Sequence, residues 1–179
     1  IVEESGEMRV VAEAANGADA LYKMREIACD VVLLDISMPG KSGIEVLKQI
    51  KEEKPKLPVL ILSIYPEDQY AVRLIKSGAA GYMTKETAPM EVVEAVRRVA
   101  SGKKYISPTV AEMLANDMRA PEEKRPHEIL SNREYQIFLL FASAKTATEI
   151  AETLALSVKT VSTHRSRILE KMHMHNNAE

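Results

Sequence analysis

Val31-Val32-Leu33-Leu34-Asp35-Ile36-Ser37-Met38-Pro39-Gly40 opens on four consecutive apolar residues, then meets a carboxylate and a Pro-Gly turn. An apolar run without alternation is what a strand covered on both faces requires, and Pro-Gly ends it. Outward from this stretch, Val59-Leu60-Ile61-Leu62 repeats the signature. Between residues 8 and 101, short apolar runs alternate with longer amphipathic stretches. This predicts strands over 9–13, 30–34, 59–62 and 81–83, with helices near 17–27, 42–52, 66–77 and 89–101. The pattern is that of βα units around a parallel sheet with helices on both faces.

Three polar residues fall at the ends of these strands. Asp35 follows one, Ser63 follows the next 28 residues later, and Lys85 lies 22 residues beyond that, just past the last. In an open parallel sheet, side chains at the carboxyl ends of neighbouring strands converge on one crevice. There a carboxylate can attack phosphorus to form an acyl phosphate, while an ammonium and a hydroxyl each hold a phosphoryl oxygen. A divalent cation, Mg²⁺ above all, would suit an oxygen-rich site of this kind.

The chain of 179 residues is 46% hydrophobic, enough for a buried core and for one large or two small domains. No apolar run approaches the roughly 18–20 residues of a membrane span, and no basic-then-apolar leader is present, so a soluble, unexported, cytoplasmic protein is expected. The single cysteine, Cys29, reads as a small core residue, and most of the nine methionines read as core. Both ends, at Ile1 and at Asn176-Asn177-Ala178-Glu179, read as fragment ends. A net charge of −2 excludes wholesale basicity, so any nucleic-acid contact must come from a local patch. Residues 157–172 supply one, with Lys159, Arg165, Arg167 and Lys171 against Glu170 alone.

Residues 102–130 change character: Pro108, Pro121 and Pro126, the charged run Glu122-Glu123-Lys124-Arg125, and a short helical stretch near 109–118. This reads as a linker. Beyond it come three helical segments, two of them opened by capping boxes, Ser131 with Glu134 and Thr146 with Glu149. The second and third, joined through Ala155-Leu156-Ser157, have the form of a helix-turn-helix. Ile150, Ala151, Leu154, Val158, Val161, Ile168, Leu169 and Met172 recur at core spacing. That leaves Lys159, Thr160, Ser162, Thr163, Arg165 and Ser166 for the outward face, where basic and hydroxyl groups suit phosphates and base edges. Lys145 and Thr146 join this DNA-binding set from the start of the preceding helix.

The Asp35-x-x-Met38-Pro39 segment with Ser42-Gly43 resembles the phosphoacceptor region of response-regulator receivers. The resemblance implies a flavodoxin-like, doubly wound α/β domain with Asp35 as phosphoacceptor, Ser63 as the hydroxyl that follows the phosphoryl group, Lys85 as its ion-pair partner, and Tyr82 as an aromatic switching between outward and inward rotamers. Mg²⁺ would be bound by Asp35 and the backbone carbonyl of Ser37, together with an acidic pair after the first strand. No such pair precedes Arg9, so the fold is expected to lack its first strand here, and residues 1–7 read as the tail of the first helix. Glu86 stands where many receivers carry a cis proline, and no cis bond is expected.

Leu130-Ser131-Asn132-Arg133-Glu134, Glu149-Ile150-Ala151 and residues 157–164 resemble the LuxR-type DNA-binding domain. Together the two halves resemble the NarL/FixJ class of response regulators. The implied layout is a receiver over 1–103, a linker with a short helix over 104–126, and a small all-α helix-turn-helix domain over 127–179 whose fourth, dimerising helix runs past Glu179. Ala144 replaces the family's usual glycine, which implies strain if the turn needs a positive φ. His164, His173 and His175 lack cysteine or carboxylate partners at ligand spacing and read as packing or surface residues. The implied function is phosphorylation-controlled transcription, with a histidine kinase as donor, promoter DNA as target and a homodimer as the binding form; it is regulation and not enzymatic turnover. Two alternatives compete: a DNA-binding regulator that ignores phosphate, and an aspartate-nucleophile phosphatase. The latter usually places a second aspartate where Ser37 stands.

Overall fold

A computed structural model describes residues 2–38, 40–87, 89–119 and 129–176, which fall into two compact units, Ile1–Arg119 and Ala120–Glu179. In the first unit three parallel strands, β1 (Val32–Leu34), β2 (Val59–Ser63) and β3 (Gly81–Thr84), lie in the order β1-β2-β3. Val32 pairs with Val59, and Leu60 with Gly81. Around them run α1 (Gly17–Glu26), α2 (Gly43–Glu53), α3 (Glu67–Lys76), α4 (Pro89–Ala100) and α5 (Pro108–Arg119). Asn16 caps α1, and a Ser42–Glu45 capping box, which the sequence reading had not singled out, opens α2.

The core is aliphatic: Val59, Leu60 and Ile61 of β2 are wholly buried, with Leu47 and Ile50 of α2 on one side and Ala95 and Val99 of α4 among the others sealing it. Each such side chain contributes about 1.5–3 kcal/mol through burial. Gly81 is required at its place because a Cβ there would stand 2.6 Å from the Tyr105 carbonyl, where Tyr105 forms a parallel bridge beside β3.

Residues 9–13 are not a strand; Val10 and Val11 are both about two-fifths exposed. In a doubly wound 2-1-3-4-5 order, a strand in this position pairs only with the strand that precedes it in the chain, and no such strand is among these residues. Without a partner the backbone has no ladder to join, however apolar the run. Of the nine methionines only Met24 and Met83 are buried among the described residues, while Met90 and Met118 are largely exposed. Cys29 is half-buried.

The segment read as a linker divides. Lys104 Nζ donates to the Ala79 carbonyl at 2.6 Å, Tyr105 N to the Ala80 carbonyl at 2.9 Å, and Ser107 Oγ to Glu67 of α3 at 2.8 Å. Val110 is buried, and Asp117 pairs with Lys76 of α3. Residues 104–119 therefore pack as part of the first unit. Pro121, the run 122–125 and Pro126 lie outside the described residues.

The second unit holds α6 (Asn132–Ala142), α7 (Ala147–Thr153) and α8 (Val158–Met172). Both capping boxes form as the sequence indicates. Leu130, Ile137, Ile150, Leu154, Val161 and Ile168 make the core. Val158 does not join it: as the first residue of α8 it is 44% exposed. The turn after α6 sets Ala144 at φ 60°, and the turn between α7 and α8 sets Ala155 at φ 50°, a second left-handed alanine that spacing did not disclose. No cis peptide and no helix long and apolar enough to cross a membrane occur among the described residues.

Candidate functional site: a strand-end carboxylate and a basic helix

Parallel pairing in register brings the ends of β1, β2 and β3 side by side, and with them the predicted trio. Asp35, one residue past β1, is half-buried. Its Oδ2 accepts from Lys85 Nζ at 2.6 Å and its Oδ1 from the Ser37 amide at 2.8 Å. Lys85 is held in reach by its own backbone, whose amide continues the ladder to the Ser63 carbonyl at 2.7 Å. Gly43 permits the approach of α2: a Cβ there would lie 2.0 Å from the Asp35 carbonyl oxygen.

Ser63 is the last residue of β2 and fully buried, and its Oγ accepts from the Tyr65 amide at 3.0 Å. Tyr82 on β3 is 1% exposed, its ring turned inward, and its phenol donates to the Tyr65 carbonyl at 2.8 Å. Burial pushes the Tyr82 phenol up to about 12, and its hydrogen bond with the Ser63 side chain only partly counters this. Tyr65 was absent from the sequence reading. Burial raises its phenol too, a hydrogen bond with the Ser37 side chain acts against this, and the charge of Asp35 adds to the rise. Its signal in the sequence is only that it follows Ser63 by two residues.

The Mg²⁺ expectation meets a thin donor set. One carboxylate, with both oxygens already accepting hydrogen bonds, and one backbone carbonyl do not amount to an octahedral oxygen site, and no group of three metal-ligating side chains occurs among the described residues. Asp35 and Ser37 alone do not hold the ion.

On α8, Lys159, Ser162, Thr163, Ser166 and Arg167 are exposed, while Thr160 and Arg165 are half-buried. Thr160 serves the helix start, its amide and hydroxyl both bonded to Ser157 Oγ. Thr163 Oγ1 donates to the Lys159 carbonyl at 2.9 Å and Ser166 Oγ to the Ser162 carbonyl at 3.2 Å. Thr146 caps α7 through Glu149, and Lys145 sits 3.7 Å from the same carboxylate. Lys171 is not part of an uncompensated patch, because its Nζ pairs with Glu134 at 2.7 Å. Among the described residues no group of three metal-ligating side chains includes His164, His173 or His175, and His173 ends α8 at φ 57°.

An α/β unit with an aspartate, a lysine and a buried hydroxyl at its strand ends, followed by a helix-turn-helix unit, defines a receiver joined to a DNA-binding domain. Family comparison agrees for both halves: residues 1–97 match the response regulator receiver domain, and 128–179 match the bacterial regulatory proteins of the luxR family. The chain belongs to the response regulators, in the NarL/FixJ class. It is 40% identical over 173 residues to the response regulator GacA of Pseudomonas aeruginosa, covering 96% of this chain and 81% of that protein. It is 38% identical over 180 residues to the response regulator UvrY of Escherichia coli K12, covering all of this chain and 83% of that one. Among solved structures it is similar to RcsB of Salmonella enterica serovar Typhimurium bound to promoter P1flhDC with a phosphomimetic, at 26% identity and TM-score 0.59, over 98% of this chain and 84% of that one.

Proposed function

We propose that Asp35 is the phosphoacceptor through which a histidine kinase controls this DNA-binding regulator. The observation that carries the reading is the Asp35–Lys85 pair at 2.6 Å beside the buried Ser63. A carboxylate oxygen attacks the phosphorus of a phosphohistidine, the phosphorus–nitrogen bond breaks, and the imidazole leaves with the electron pair. Lys85, already at the carboxylate, neutralises one phosphoryl oxygen, and the Ser63 hydroxyl donates to another. Ser63 and Tyr82 share Tyr65 as hydrogen-bond partner, so a shift of Ser63 toward the phosphoryl group is felt by the Tyr82 ring. That shift favours a homodimer that sets two copies of α8 on successive turns of promoter DNA, with Lys159, Thr160, Ser162, Thr163, Arg165 and Ser166 facing the groove and Lys145 and Thr146 near the backbone.

This is a population shift and not a turnover reaction. DNA as the target sets the work in the cytoplasm. Mg²⁺ enters only where an acidic pair joins Asp35 and the Ser37 carbonyl. Asp35→Asn abolishes labelling by acetyl phosphate; an acid-stable label that persists overturns the assignment. In a chain that also carries the acidic pair, beryllofluoride raises DNA affinity, and Asp35→Asn abolishes that rise; an unchanged affinity favours a regulator that ignores phosphate.

A further inference from the structure

By charge alone Lys171 belongs with Lys159, Arg165 and Arg167 as a DNA-facing cation. Its surroundings say otherwise. Its Nζ donates at 2.7 Å to Glu134 Oε2, and the side chain of Glu134 is only 5% exposed. The same carboxylate oxygen takes the Ser131 amide at 2.7 Å. Burial alone would push the Glu134 carboxyl up; the Lys171 and Ser131 bonds outweigh it and hold the group below the usual carboxylate range. The preceding residue reaches the other end of the motif: Arg133 donates to the carbonyl of Leu154, which ends α7 ahead of the turn into α8, at 3.2 Å, and to the buried Gln136 at 2.8 Å. The first turn of α6 thus grips both the approach to α8 and its last turn.

We infer that Lys171 is a positioning residue that fixes the end of α8 against α6 through Glu134, and that it does not contact DNA phosphates. This rests on the reading of α8 as the DNA-reading helix. For Lys171 to reach a phosphate it would have to leave a buried carboxylate uncompensated, and such a charge is more costly than an exposed contact is favourable.

Salt titration separates the two roles, because each phosphate contact lowers log K against log salt by a slope of about 0.9. The full chain is titrated against a duplex recovered from a random-sequence pool with the unsubstituted protein. Lys171→Met and Glu134→Gln are each expected to weaken binding about three- to tenfold at every salt concentration, with the slope unchanged and no further loss when combined. Lys171→Arg restores affinity, while Lys159→Met lowers the slope by about 0.9. A lowered slope in Lys171→Met overturns the inference. So does unaltered affinity, or tighter binding by Glu134→Gln, which frees the ammonium. Should Lys171→Met melt early, Glu134→Gln, which keeps the shape of the cap, decides. An unsubstituted chain that enriches no duplex overturns the DNA reading itself, and this inference with it.

Discussion

The phenol of Tyr82 donates to the Tyr65 carbonyl at 2.8 Å, and the amide of the same Tyr65 donates to the Ser63 hydroxyl at 3.0 Å. One residue therefore joins a buried aromatic ring on β3 to the hydroxyl beside Asp35. Neither end can move far without altering the bonds at Tyr65.

The Tyr82 phenol gives the first prediction, with a definite sign. Its folded value of about 12 lies above the ordinary 10, so the folded state keeps this proton longer than the unfolded state does. Its contribution to stability is complete below about pH 10 and is lost as the pH rises toward 12. The urea midpoint of the unsubstituted chain falls more steeply over that range than that of Tyr82→Phe. Parallel curves would contradict it.

Gly43→Ala drives a methyl into the Asp35 carbonyl, which stands 2.0 Å from the Cβ position. Overpacking of this kind costs about 1–3 kcal/mol, and here the backbone that yields carries the acceptor. Slower labelling by acetyl phosphate together with a lower urea midpoint is the expected pair of results.

At Ala144, with φ 60°, substitution by glycine relieves about 1–2 kcal/mol of left-handed strain. Greater freedom in the unfolded chain offsets about 0.4–1 kcal/mol of that gain. Chemical denaturation of the second unit should show a net stabilisation of about 0.5–1 kcal/mol in Ala144→Gly.

Val110 tests whether α5 is part of the receiver. It is 1% exposed, so Val110→Ala removes about 1.5–3 kcal/mol from the first unit once the cavity is included. Met118→Ala on the same helix, at a residue 85% exposed, changes stability by less than about 0.5 kcal/mol. Hydrogen exchange resolves the two units and shows which one responds.

What could be read in advance follows the range of the interaction. The β2 and β3 strands and the caps at Ser131 and Thr146 are written locally, in apolar runs and in residues three apart, and they form where the sequence places them. Asp35 and Lys85 meet because parallel register turns regular intervals into adjacency. Residues 9–13 show the opposite case, since a short apolar run marks a strand but cannot supply its neighbour. Tyr65 and the docking of α5 depend on contacts with residues far away in the chain, Ser37 for Tyr65 and Glu67 for Ser107 at the start of α5. The helix near 109–118 is legible in the sequence, but its place against the first unit is not. Lys171 enters the basic patch only by count, because a charge tally does not see the carboxylate 37 residues earlier that answers it.

The hydroxyls of Thr163 and Ser166 have one more consequence. Both protons already point at carbonyls of their own helix. An oxygen so engaged offers lone pairs alone, and a phosphate does likewise, so the two do not complement each other in this rotamer. The exocyclic amino groups of adenine and cytosine do complement it, since they present hydrogens in the major groove. Of the two partners their chemistry allows, phosphates and base edges, the intrahelical bonds of Thr163 and Ser166 leave them configured as acceptors, which suits the second.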